Sequence, residues 1–339
     1  MLNDLEQLCA APGVSGDEGE AANTAERLLA PLGTVTRTSL GSVLCRMPAP
    51  REGLPKVMLA AHLDSIGMMV FQITDRGFVR AAACGGLDRR ALSGARVTLH
   101  ATGEDPGPLP GVVLATPPHL SDGKSLPPKT DSLSIDLGLS AAEARRRIRH
   151  GDRITLDGPL VGLLGDRVAS ACLDDRAGCA AVIAAARMLA GCNTAQICVA
   201  LVSQEEVGSA GASTAAFLLQ PDYAFAVDVS FGITPDDRPQ DCAELGKGPM
   251  IGCAPILSRE LTRRMRDTAE RYGIPFQFEV MGGRTGTDAD HIAVCGGGVS
   301  TGLLSIPLRF MHTAGEIVSL GDIEQTARLL AKTIEEGLS

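Results

Sequence analysis

Five short stretches of the 339-residue chain carry side chains suited to hold cations: His62-Leu63-Asp64, Asp174-Asp175-Arg176, Gln204-Glu205-Glu206, Asp228 and His312. Two imidazoles, carboxylates able to bridge and an extra adjacent glutamate make the donor set that a pair of hydrolytic zinc-type ions requires, with no thiolate needed. Two such ions about 4 Å apart share one carboxylate and keep an open position for water. Of the adjacent Glu205 and Glu206, one can ligate while the other stands beside the activated water as general base. In His62-x-Asp64 the aspartate can accept the second imidazole N–H, which fixes the tautomer and raises the ring's basicity. Taken singly, each motif is more often structural, because a histidine at a strand end is usually hydrogen-bonded in the core and a Glu-Glu pair is usually solvated. Their coincidence at strand ends points to a metal site.

The runs that precede these residues must place them. KVMLAA leads into His62, VASAC through Leu173 into Asp174, ICVALVS into Gln204-Glu205-Glu206, and YAFAV into Asp228; the segment after VSTGLLSIP delivers His312. Function in open α/β sheets gathers at the carboxyl ends of strands, and a charge directly after an apolar run is otherwise poorly placed. From about residue 163 onward helical and strand patterns alternate, the signature of α/β layers with a largely parallel sheet. AQICVALVS, YAFAVDVS, PFQFEVM and VSTGLLSIP are apolar almost throughout, as central strands covered on both faces are. SRELTRRMRDTAERYG starts at a capping Ser258 and puts Leu261, Met265, Ala269 and Tyr272 on one helix face. Near the C-terminus, Ser319 with Asp322 resembles a capping box ahead of the stripe Ile323, Ala327, Leu330 and Ile334.

The first 60 residues read alike, with an acidic helix around DEGEAANTAERLL before the strand KVMLAA. From about Ile66 to Pro159 the texture changes to glycine- and proline-rich sequence with short strand-like runs, MMVFQIT, ARVTLHAT, PGVVLAT and DRITLDG, broken by one brief helix, SAAEARRRI. The expectation is an α/β domain made of residues 1–65 and 160–339, its mixed, mostly parallel sheet sandwiched by helices, with residues 66–159 inserted as a β-rich domain. The cluster Arg145, Arg146, Arg147 and Arg149 reads as a solvated helix face.

Composition narrows the function. At roughly 150 residues per domain, the length fits two structural units or one core with an insertion. A net charge of −9, from 31 Lys+Arg against 40 Asp+Glu, repels phosphate backbones and anionic lipids, so neither nucleic acid nor membrane is expected as a partner. Eight Phe, two Tyr and no Trp leave few flat faces on which sugars or bases could stack. The ten cysteines, spread from Cys9 to Cys295, form no Cys-x-x-Cys pair; MLNDLEQLC has acids where an export signal is basic, and CAAVIAAARMLAGC is broken by Arg187. A cytoplasmic protein with free thiols, no export signal and no membrane span is the expectation. A phosphate loop is missing, and GVSGD does not have the spacing of a nucleophile elbow. His100 and His150 read as surface or strand histidines, while His119 and His291 have no assigned chemistry.

In order along the chain, PGVSGDE, VMLAAHLDSIGMMV, CGGLDRR, ACLDDRAG, QEEVGSAGA, AVDVS, LGKGPMI, GTDADHI and IPLRFMHTAGE resemble the blocks of the tetrahedral (TET-type) and glutamyl aminopeptidases, metallopeptidase family forty-two. The resemblance runs nearly end to end. It implies His62 and Asp228 on one divalent ion, Glu206 and His312 on a second, Asp174 bridging both, Glu205 as base and Asp64 as orienting aspartate, with zinc or cobalt as the ions. It further implies a β-barrel-like insert that mediates dimerisation, short peptides as substrates, and a homo-oligomer built from dimers up to a tetrahedral dodecamer. This chain departs from the family's common pattern at Ser65, where an acid is usual, at Phe310, where tyrosine is, and at Thr313-Ala314, where Ser-Pro is; none is an expected ligand. Related dinuclear carboxypeptidases and deacylases share a similar ligand order, but their extra domain resembles a late insertion, whereas here the long gap lies early, between Asp64 and Asp174. A non-catalytic metal-binding assembly subunit is the other alternative, against which the extra carboxylate of Glu205 argues. A glycosidase built on two carboxylates would leave the histidines idle.

Overall fold

Four of the five apolar runs ahead of the candidate ligands, KVMLAA, ICVALVS, YAFAV and VSTGLLSIP, pair side by side at the centre of one sheet. The computed structural model describes residues 1–114, 119, 133–235 and 242–338. The chain opens with α1 (Leu2–Ala10), α2 (Gly19–Leu29), β1 (Thr34–Arg37), β2 (Val43–Arg46) and β3 (Lys56–His62). There follow β4 (Gly67–Ile73), β5 (Val79–Cys84), α3 (Arg89–Leu92), β6 (Arg96–Ala101), β7 (Gly107–Leu114), β8 (Ser134–Asp136), α4 (Ala141–Arg147) and β9 (Arg153–Leu156). Next come β10 (Val161–Gly162), β11 (Arg167–Ser170), α5 (Leu173–Met188), β12 (Gln196–Val202), α6 (Ala210–Leu219) and β13 (Tyr223–Phe231). The remainder is β14 (Met250–Cys253), α7 (Arg259–Tyr272), β15 (Gln277–Val280), α8 (Ala289–Ala293), β16 (Ser300–Leu308), β17 (Glu316–Ser319) and α9 (Leu320–Glu335).

Eight strands form the main sheet in the order β1-β2-β12-β3-β13-β16-β14-β15. The four central strands are mutually parallel, and antiparallel pairings at β2 and β14 make the sheet mixed. Alternate residues of one strand enter different cores: Val57, Leu59 and Ala61 of β3 join α1, α2, α5, α7 and α9, while Met58 and Ala60 join α6 and α8. A strand buried on both faces needs apolar residues at every position, which is why these runs do not alternate. Strands β4 to β9 close a separate barrel, in the order β4-β5-β8-β7-β6-β9, around its own core. The last two residues of PGVVLAT fall outside the described residues.

Several local expectations hold. Ser258 accepts a hydrogen bond from the Leu261 amide at the start of α7, and Ile323, Ala327, Leu330 and Ile334 are buried along α9. Others need correction. PFQFEVM supplies the edge strand β15, paired among the described residues with β14 alone, and therefore leaves Phe278 and Val280 exposed. VASAC supplies β11, which joins β10 and β17 in a small antiparallel sheet, so Asp174 comes from the first turn of α5 and not from a central strand. Tyr272, the last residue of α7, stands outside the buried stripe with the Lys332 ammonium 5.5 Å from its ring centroid. The cap of α9 is one-sided: Ser319 accepts from the Asp322 amide, but the Asp322 carboxylate accepts from Gly246 and Gly248 instead of closing the box.

Candidate metal centre

Register places the site. Val202 of β12 lies opposite His62, and the β3–β13 pairing of Ala60 with Ala226, carried two residues on, sets Asp228 level with His62. Glu205 and Glu206 follow β12 directly, Asp174 begins α5, and His312 comes from the β16–β17 connection in the left-handed region at φ 65°. His62, Asp174, Glu205, Glu206, Asp228 and His312 line one cavity of about 520 Å³. Asp64 lies fully buried beside it.

Asp174 faces both histidines, one through each oxygen. Its Oδ1 is 2.9 Å from His62 Nε2 and its Oδ2 is 3.4 Å from His312 Nε2. His62 Nε2 is also 3.8 Å from Asp228 Oδ1, and His312 Nε2 is 3.5 Å from Glu206 Oε1. The opposite ring nitrogens settle the tautomers. His62 Nδ1 lies 3.1 Å from the Asp64 carbonyl and His312 Nδ1 lies 2.7 Å from the Gly86 carbonyl. A carbonyl oxygen only accepts, so each Nδ1 carries hydrogen and each Nε2 turns toward carboxylate oxygens. An imidazole lone pair facing carboxylate lone pairs is repulsive unless a proton or a metal cation lies between them. Glu206 Oε1 is buried without a hydrogen-bond partner, a further sign that the residues fit a cation.

The titration pattern follows from this crowding. Burial opposes charge on both histidines, but hydrogen bonds to Asp174 and the surrounding carboxylates outweigh it, holding His62 well above the usual imidazole value and pushing His312 up to about 9. Asp174 is held well below the carboxylate range by the two histidines, despite its burial. Burial, then neighbouring negative charge, pushes Glu206 up to about 8 and raises Glu205 and Asp228. Divalent cations would reverse this balance for the acids.

Other residues build the frame. Asp64 departs from the expected role in one respect: its main-chain carbonyl is the nearer acceptor for His62, with the carboxylate Oδ1 at 3.6 Å. The carboxylate instead accepts from Ser15 Oγ at 2.6 Å and from the amides of Glu205 and Glu206 at 2.9 and 3.2 Å, fixing the turn that carries both glutamates. Asp175, joined to Asp174 by a cis peptide bond, accepts from the His62 and Gly178 amides. Sequence reasoning missed Glu316. Fully buried, it accepts from the Asp174 amide at 3.0 Å and the His312 amide at 2.9 Å. It also missed Asp288, whose buried carboxyl has no hydrogen-bond partner and is pushed up to about 8 by burial and by Glu205. Both lie in motifs already picked out, HTAGE and GTDADHI, so their signal was a carboxylate beside a recognised residue. The other histidines stay outside: His100 bonds Thr155 in the barrel, His119 and His150 are exposed, and His291, on α8, is not among the residues that line the cavity.

A histidine- and carboxylate-lined cavity at the carboxyl end of this sheet, beside a closed barrel, narrows the family sharply. The model of the M42 glutamyl aminopeptidases matches residues 41–329. The chain belongs to that family. It is a metal-dependent aminopeptidase, a hydrolase of peptide bonds. The peptidase is 34% identical to the lysyl aminopeptidase of Pyrococcus furiosus, over 98% of this chain and 96% of that relative. Among solved structures, it matches an aminopeptidase of the archaeon Desulfurococcus kamchatkensis with a TM-score of 0.91 at 30% identity, over 99% of this chain and 94% of that one. It also matches the Pyrococcus horikoshii TET1 peptidase, which can assemble into a tetrahedron or a large octahedral shell, with a TM-score of 0.84 at 31% identity over 98% of each chain. The peptidase fold is thus a mixed α/β sheet with an attached six-stranded barrel.

Proposed function

We propose that His62 and Asp228 hold one divalent cation, that Glu206 and His312 hold a second, that Asp174 bridges them, and that Glu205 is the general base for removing N-terminal residues from short peptides. The observation that carries this reading is Asp174 presenting its two oxygens to two different imidazoles, at 2.9 and 3.4 Å. Zinc or cobalt suits imidazole and carboxylate donors. When bound, such ions polarise the scissile carbonyl and acidify water. Glu205 lines the cavity beside the proposed ligands, and a carboxyl left out of the ligand set can take a proton and return it. In this role it accepts the proton of the attacking water and passes it to the leaving amine. Asp64 keeps Glu205 in place through the Glu205 amide.

The test is hydrolysis of leucyl-, lysyl- and glutamyl-anilides with added zinc or cobalt, beside a metal-stripped control. Glu205→Gln is expected to keep both metals and lose roughly 10²- to 10⁴-fold in turnover, and near-normal activity would refute the assignment. Asp174→Ala is expected to lose metal instead. For the assembly, the reading is an inserted unit of residues 66–159 that mediates dimerisation within a larger homo-oligomer, a dodecamer built from dimers. Exposed Phe71, Val112 and Leu114 on the barrel and the assemblies of the P. horikoshii relative support it. A cytoplasmic location fits ten free cysteines, and no helix among the described residues is long and apolar enough to cross a membrane.

A further inference from the structure

The far wall of the catalytic cavity carries one more acid. Glu279, half-buried on the edge strand β15, lines the cavity together with the candidate ligands. Among the described lining residues it is the one charged side chain outside the metal and base set, and neither lysine nor arginine is present there. Its orientation is fixed. Ser230 Oγ donates to Glu279 Oε1, and Ser305 Oγ donates to Oε2 at 2.7 Å. An ionised carboxylate offers about four acceptor positions, so two hydroxyl donors leave about two free for a further donor.

The sheet sets the distance from the metal centre. Asp228 and Ser230 are two residues apart on β13 and point to the same face, and Ser305 lies opposite Asp228 in the register with β16. Two strand residues span roughly 6.6 Å, so the Glu279 carboxylate, bonded to Ser230, stands about one long side chain from Asp228. The five bonds from the Cα to the Nζ of lysine, each about 1.5 Å and staggered, reach roughly 6 Å. Met281 and Met311 line the same cavity and can bed an apolar stem while its charged head passes them.

We propose that Glu279 sets the substrate class: the first pocket takes an N-terminal residue with a basic side chain, whose cationic head is received by the Glu279 carboxylate between Ser230 and Ser305. The inference rests on the reading of this cavity as the aminopeptidase active site. An acidic N-terminal side chain would meet a like charge at Glu279 that no lining lysine or arginine offsets.

The experiment compares kcat/KM for lysyl- and norleucyl-anilides, which share a straight four-carbon stem and differ in the ammonium, with glutamyl-anilide as the opposite charge. The metal-loaded wild-type enzyme is expected to favour lysyl over norleucyl at least tenfold and to disfavour glutamyl. Glu279→Gln is expected to cut the lysyl-to-norleucyl ratio at least tenfold, and Glu279→Lys to turn the preference toward glutamyl. The ratio is taken within one preparation, so a misfolded fraction lowers both rates and leaves it unchanged. A ratio in Glu279→Gln within threefold of wild type, or a wild-type preference for glutamyl, overturns the assignment of Glu279 while the aminopeptidase reading stands. Failure of the metal-loaded wild type to cleave any of the three overturns both.

Discussion

Glu316 ties two candidate ligands to one buried carboxyl, and removing one of its acceptors is expected to loosen the metal centre. The substitution is Glu316→Gln, which keeps the shape. At present Oε2 accepts from the Asp174 amide at 3.0 Å and Oε1 from the His312 amide at 2.9 Å. Burial and the charge of Asp174 raise the pKa of Glu316 well above the usual value, yet even a protonated carboxyl oxygen retains a lone pair for an N–H, which an amide nitrogen does not. In the variant, one of the two main-chain N–H groups therefore faces an NH₂ group and loses its acceptor. An unsatisfied buried donor costs about 1–3 kcal/mol. If that cost falls on the arrangement that closes around the ions, at about 1.4 kcal/mol per tenfold the metal dissociation constant rises roughly 5- to 140-fold. Chelator competition measures that constant, and anilide hydrolysis at saturating metal measures what remains. Metal affinity within twofold of wild type would refute the argument that Glu316 sets the positions of Asp174 and His312.

Two further outcomes concern stability. Asp4 accepts from Arg187 Nη1 at 2.5 Å and Nη2 at 3.3 Å, and although burial works against it, this pairing lowers its pKa. The folded chain then binds that proton more weakly than the unfolded chain, so the stabilisation is complete above about 3.9 and is lost as pH falls through the lower folded-state value. Asp4→Asn is expected to lower urea stability at neutral pH by up to about 1 kcal/mol, Arg187 being partly exposed, and to converge with wild type in acid; an equal gap at both pH values counts against the ion pair. A Cβ on Gly211 would sit 2.2 Å from Ser203 O and 2.6 Å from Ser203 N, both backbone atoms. Gly211→Ala should therefore push α6 away from the end of β12 at a cost of about 1–3 kcal/mol, read from the denaturation midpoint, and an unchanged midpoint would show that the helix shifts freely.

The candidate ligands were legible because each follows or begins an element with a strong local pattern. His62 and Asp228 lie at the ends of unbroken apolar runs, and a run apolar at every position suits a strand buried on both faces. The caps at Ser258 and Ser319 were legible for the same reason, since a cap and its amide are three residues apart. The edge position of β15 was not: PFQFEVM is as apolar as its neighbours, and only the count of strands beyond it decides whether its second side is covered.

Residue type and spacing by themselves determined which side chains could bind cations, and that His62, Glu205, Glu206 and Asp228 would follow apolar strand runs, because hydrophobic periodicity is local. Tertiary structure alone decided which carboxylate answers which partner. Glu316 reaches Asp174 across 142 positions, Asp64 reaches the Glu205 amide across 141, and Glu279 enters the cavity from the sheet edge. In the sequence these are ordinary acids at ordinary places. Their roles arise from return paths of the chain that bury a charge beside a particular amide or hydroxyl, and no local pattern records where a distant loop comes back.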